Sequence, residues 1–138
     1  MIKAMESGTG SLSTTHAADA NACIRKLVTC AMEAGNHVTR DLALEKLVGC
    51  LNLTVQLNRR VVNLPDGTQQ LRRWVSEVVL VEPGERELGY ALEHLCGPSK
   101  NGPAQASGIL PPQVMALTEF GFNPDLFQSE ADSSGWTP

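Results

Sequence analysis

The chain has 138 residues, of which 42% are apolar and 19% charged, ordinary globular usage that argues against a fibrous or wholly disordered polymer. A formal net charge of −4 offers no broad cationic field to a phosphate backbone, which argues against nucleic acid as a partner. No apolar run approaches the roughly 20 residues of a membrane span, and no charged stretch leads into an apolar signal core, so a cytosolic chain is expected.

In chain order, Ser11 to His16 follows the Gly-rich stretch SGTGS and reads as a short strand entering a buried sheet. A helix is predicted over Asp19 to Ala34, with Asp19 as N-cap, Ile24, Leu27, Val28 and Ala31 on one face, and Gly35 as the stop. A second helix starts after Thr39, has Asp41 in its first turn, and carries Leu44, Leu47, Val48 and Leu51 inward. Both helices are expected to pack on the strand that ends at His16.

From Asn52 the period changes to two. Leu53, Val55 and Leu57 alternate with Thr54, Gln56 and Asn58, the two-residue repeat of a half-buried strand. Asp66-Gly67 supplies a turn, and Leu71 to Val81 is the returning strand of a hairpin. A third strand is expected over Leu88 to Leu95, after the Pro83-Gly84 turn. Residues 1–96 thus form the structured part. Residues 97–138 carry six of the eight prolines and are expected to be a linker and a loosely packed Pro/Gly-rich tail. Within that tail, Pro111 to Phe120 is amphipathic with proline near a helix start, and Leu126-Phe127 is an anchor for the end. Cys23, Cys30, Cys50 and Cys96 show no CxxC pair and no histidine at ligand spacing, so reduced thiols are expected rather than disulfides or a metal site.

The segment AMESGTGSLSTTHAADA resembles the histidine box of type II and type IV secretion ATPases, particularly the CpaF/TadA members that serve Flp-pilus assembly. Its Ala4-Met5 helix end leads through a Gly-rich turn to Gly10-Ser11-Leu12-Ser13-Thr14-Thr15-His16-Ala17, and Arg25-Lys26-Leu27 follows. The pieces MEAG, LNLTVQLNRR, PDGTQQLRRWVSEVVLVE and GILPPQVMALTEFGFNPDLF then stand in the family's order, so the resemblance covers nearly the whole chain. It implies an α/β fold: the C-terminal part of a RecA-like phosphate-loop ATPase domain, with two helices, a β-hairpin and the tail. It also implies a hexameric homo-oligomer that uses ATP and Mg2+ in the intact family, on the cytoplasmic side of the inner membrane, against a secretion or pilus platform protein.

Two departures bear on this. Family members often carry a further histidine in the loop before the strand, where this chain has Glu6-Ser7-Gly8-Thr9-Gly10. More consequentially, no GxxxxGK(S/T) loop and no acidic Walker B segment occurs in the 138 residues. A phosphate loop holds nucleotide through backbone N–H groups, a lysine and a magnesium-bound hydroxyl. Without them the chain alone is expected to hydrolyse nothing and to bind no cofactor, and it offers no catalytic residue of its own.

The candidate functional residues are therefore sensors and contacts. The resemblance places His16 near the terminal phosphate of the nucleotide, where an imidazole can donate to phosphate oxygen and reorient when that oxygen leaves. Thr14 and Thr15 are its assisting hydroxyls. From spacing alone, a hydrogen-bonded structural histidine at a strand end is the preferred reading, and strand packing explains the threonines at least as well. Arg59, Arg60, Arg72 and Arg73 flank the predicted turn, two per strand. Guanidinium forks there suit a phosphate or a carboxylate across a subunit boundary, although a solvated, charge-protected hairpin edge is the preferred reading of the residues alone. Trp74 reads as a packing residue, and His37 and His94 have no partner at catalytic spacing.

Three functional readings follow: the C-terminal part of a secretion ATPase, a stand-alone binding or regulatory module derived from one, and an unrelated small enzyme. No convergent acid, base or metal cluster supports the third.

Overall fold

The computed structural model describes residues 10–84, 89–99 and 102–134. Residues 1–9, with Ala4-Met5 and the Glu6 to Thr9 loop, lie outside them, as does Leu88. Among the described residues the fold is mixed α/β, with a four-stranded antiparallel open sheet in the order β1-β2-β3-β4. The strands are β1 (Leu53–Asn63), β2 (Gln69–Pro83), β3 (Tyr90–Gly97) and β4 (Gln105–Ala106). The helices are α1 (Ala20–Met32), α2 (Arg40–Val48), α3 (Pro112–Met115) with a 3-10 turn over Ala116–Phe120, and α4 (Pro124–Ser134). The chain divides into two compact units, Met1–Thr54 with Val79–Glu93, and Val55–Val78 with His94–Pro138.

The first unit is built around α1 and α2. Asp19 caps α1 by accepting the Ala22 N–H at 2.6 Å, and Thr39 caps α2 through its hydroxyl, 3.3 Å from the Leu42 nitrogen. Each side chain satisfies an N–H that has no carbonyl four residues back. Helix α1 ends at Glu33, and Gly35 takes a φ of +141° that a Cβ would resist. Ile24, Leu27 and Val28 from α1 close on Ala43, Leu44, Leu47 and Val48 from α2 and on Val81 from β2. Leu51, Tyr90 and Leu92 pack against this cluster, and the Tyr90 hydroxyl bonds Asn21 Oδ1.

The helix faces are therefore as expected, but their partner is not. Ser11 to His16 is not a strand: residues 11–17 have no regular structure, and Leu12 is 95% exposed. A strand exists only where a neighbour takes its N–H and C=O groups, and no described segment does so. The helices instead cover β2 and β3. The parallel RecA-like sheet anticipated from the family resemblance is likewise not seen among the described residues, where the strands run antiparallel.

In the second unit, β1 and β2 meet in a three-residue turn, Pro65-Asp66-Gly67. Leu64 N–H donates to Thr68 O at 2.8 Å and Gly67 N–H to Leu64 O at 3.0 Å, with Gly67 at φ +82° in the left-handed position such a turn requires. Asp66 Oδ1 accepts both the Thr68 N–H at 2.9 Å and its hydroxyl at 2.6 Å. The hydroxyl first, then the backbone N–H, holds the Asp66 carboxyl below the usual range.

The Leu64–Thr68 register pairs Asn63 with Gln69, whose side chains bond at 3.2 Å, and Gln56 with Ser76, whose hydroxyl reaches the Gln56 carbonyl at 3.4 Å. Further along, Val81 N–H donates to Asn52 O at 2.9 Å. Residues 52 to 64 are twelve steps and 68 to 81 thirteen, so β2 carries one extra residue, a bulge beyond Ser76.

The alternation of β1 is present, with its polar residues on the more buried side. Thr54 and Gln56 are half-buried, while Leu53 and Val55 are exposed and Leu57 is 68% exposed. Period two puts all three apolar residues on one face, which is largely open to solvent at Leu57 and about half open at Leu53 and Val55.

Secondary structure continues past Gly97. β4 pairs antiparallel with β3, setting Cys96 against Ala106 and Gly97 against Gln105, and α4 packs on β4. Pro112 stands in the first turn of α3, and Phe127 meets Phe122 with ring centroids 6.4 Å apart, whereas Leu126 faces solvent. Trp74 is half-buried, and a Cβ on Gly102 would lie 3.5 Å from its ring, in keeping with a packing role.

Candidate functional site

His16, Thr14 and Thr15 lie in the first unit, exposed, on the irregular segment that leads into Asp19. The segment is tied to α1 by Lys26, whose Nζ donates to the His16 carbonyl at 2.7 Å. The carbonyl is thereby fixed while the imidazole stays open to solvent. Its two ring nitrogens leave one donor and one acceptor for a ligand in the neutral form.

Arg59, Arg60, Arg72 and Arg73 lie in the second unit. The turn register sets Arg59 opposite Arg73 on one face of the hairpin and Arg60 opposite Arg72 on the other, so the sheet period brings two guanidinium pairs into one band. All four are exposed, and none makes an ion pair among the described residues. Arg72 Nε makes a 3.4 Å contact with Gln70 Oε1. On the Arg59–Arg73 face the guanidiniums stand between exposed apolar pairs, Leu57 with Val75 and Val61 with Leu71. Such a band can receive phosphate or carboxylate oxygens in bidentate fashion.

A third grouping was not anticipated from sequence. His94 Nε2 lies 3.1 Å from Glu77 Oε2, and the Glu77 side chain is 13% exposed. The residues are 17 apart in sequence and meet because β2 and β3 are adjacent strands. Alternation along β3 puts Cys96 on the same face as His94. Burial pushes the Cys96 thiol up, and the Glu130 carboxylate adds to this, so the thiol stays protonated and is a poor nucleophile. The only legible signal was that Glu77 and His94 stand on strands predicted to be successive.

Among the described residues, no three His, Cys, Asp or Glu side chains are grouped to hold a metal ion, and no helix is long and apolar enough to cross a membrane. No protein-family model matches the chain, and no curated protein matches it significantly.

Proposed function

We propose that this chain is the C-terminal segment of a hexameric ATPase of the CpaF/TadA type that powers type II or type IV secretion or pilus assembly, and that its own part in turnover is communication rather than cleavage. The observation that carries the reading is the order of the sequence motifs, Gly10 to Ala17 followed by Asp66 to Glu82, in a chain with no Walker A or Walker B. Two structural features support it. Among the described residues Ser11 to His16 has strand-forming sequence without a pairing neighbour, and Leu53, Val55 and Leu57 are exposed. Both accord with a segment whose neighbouring elements belong to another part of the protein. In that assembly ATP and Mg2+ are held by the nucleotide-binding half, His16 senses the terminal phosphate, and the oligomer works at the cytoplasmic face of the inner membrane against a platform protein.

A stand-alone binding or regulatory module is the second reading. It is favoured by the first unit, whose core closes on its own residues, with Ile24 and Leu47 fully buried. Magnesium-dependent phosphate release separates the two readings from an enzyme, and from each other when the segment is joined to a family ATPase half that carries both Walker motifs. The chain alone is expected to release no phosphate above background. In the joined protein, His16→Ala is expected to lower turnover with the fold intact, because a sensor contact matters most as the terminal phosphate departs. Robust turnover by the isolated chain overturns the ATPase-segment reading, and an unaffected His16→Ala protein overturns the sensor role.

A further inference from the structure

Two uneven surfaces lie in the second unit, and they are opposite in charge. On the hairpin, Leu57, Val75, Val61 and Leu71 surround Arg59 and Arg73 on one exposed face. Contiguous exposed apolar surface of this kind marks an interaction site, and the arginine stems enlarge it while their heads need an oxygen partner. The second surface is the C-terminal segment. Residues 101–138 contain Glu119, Asp125, Glu130 and Asp132 and no lysine, arginine or histidine. The four acids are exposed, and among them Phe120 is 85% and Leu126 68% exposed.

Charge decides what covers the hairpin. Within the second unit the hairpin's carboxylates are Asp66, engaged by Thr68, and Glu77, engaged by His94, and none of the four guanidiniums makes an ion pair among the described residues. Two hairpins laid face to face would set Arg59 and Arg73 near their own copies, a like-charge contact. An anionic lipid or nucleic-acid surface would pair the guanidiniums but leave the apolar pairs uncovered or repel the four acids of the same unit. The acidic, aromatic C-terminal segment matches both the apolar and the charged part. Among the described residues no ion pair joins the two surfaces within one chain.

We infer that copies of this chain associate hairpin to tail, the Arg59–Arg73 face of one against Glu119 to Glu130 of the next. Such a contact joins two different surfaces, so it closes as a reciprocal dimer or a ring or continues as a chain of subunits. It deepens the oligomer reading above by naming the surfaces, and it holds whether or not the joined protein turns over nucleotide.

Sedimentation velocity of the full chain over a concentration series tests it. At low salt, species heavier than the monomer are expected, and they dissociate as salt rises. R59E/R73E and D125K/E130K are each expected to weaken self-association about tenfold or more, and an equimolar mixture of the two variants is expected to restore a heterologous complex. Circular dichroism verifies that the exposed substitutions leave the fold intact, and R59Q/R73Q, with a smaller expected loss, replaces the reversal should it not. A monomer at every concentration, association indifferent to both reversals, or a mixture that fails to recombine overturns the inference. A monomer that pellets with vesicles of phosphatidylcholine and phosphatidylglycerol, and stops doing so in R59E/R73E, also overturns it and assigns the hairpin to a lipid surface.

Discussion

Leu47→Ala and Leu57→Ala make the same chemical change on opposite sides of the burial boundary. Leu47 is 0% exposed in the α1–α2 core, and Leu57 is 68% exposed on the hairpin. Truncation at Leu47 withdraws three buried carbons at about 0.8 kcal/mol each, and the cavity left between α1 and α2 raises the loss to about 3–5 kcal/mol. Against a total stability of about 5–15 kcal/mol, that is a large fraction. At Leu57 only the buried third of the side chain counts, so the loss stays under about 1 kcal/mol. Urea unfolding followed by far-UV circular dichroism reads both, in dilute protein and moderate salt so that self-association does not contribute. A loss below about 0.5 kcal/mol at Leu47, or equal losses at the two positions, would refute the assignment of the helix faces and of the uncovered strand face.

Asp19→Ala removes the acceptor for Ala22 N–H and is expected to cost about 1 kcal/mol by the same unfolding assay, with Asp19→Asn costing less. Gly67→Val is expected to destabilise the hairpin by about 1–2 kcal/mol through φ +82° alone, since no atom lies within 4 Å of the added Cβ, and Gly67→Asn is expected to be tolerated. Burial raises the Cys23 and Cys96 thiols, so Ellman's reagent at neutral pH is expected to modify exposed Cys30 first and those two slowly, and unfolding in urea removes the difference. Asp66 has its carboxyl depressed by Thr68, so its contribution is present above the ordinary carboxylate range and lost as pH falls through its lower folded value. The melting-temperature gap between the protein and Asp66→Ala is therefore expected to narrow in acid, and a gap that widens in acid contradicts the Thr68 contact.

The local elements were legible because their causes are local. Asp19 and Thr39 announce helix starts through side chains that reach the third residue on, and Ile24, Leu27 and Val28 follow a 3.6-residue period whatever surrounds them. Asp66-Gly67 dictates a turn for the same reason: the backbone must turn left-handed and only glycine does so without cost. Helix α4 and strand β4 were hidden by prolines and small polar residues that look like a tail. β4 exists because Ala106 and Gln105 find Cys96 and Gly97, residues remote enough that no local signal marks them. Alternation identified β1 but not its inward face, because period two states only that Leu53, Val55 and Leu57 share a side. Which side is covered depends on what packs there, as does whether Ser11 to His16 becomes a strand. The guanidinium band and the His94–Glu77 pair follow the same rule: composition supplied the groups, and strand register decided which of them meet.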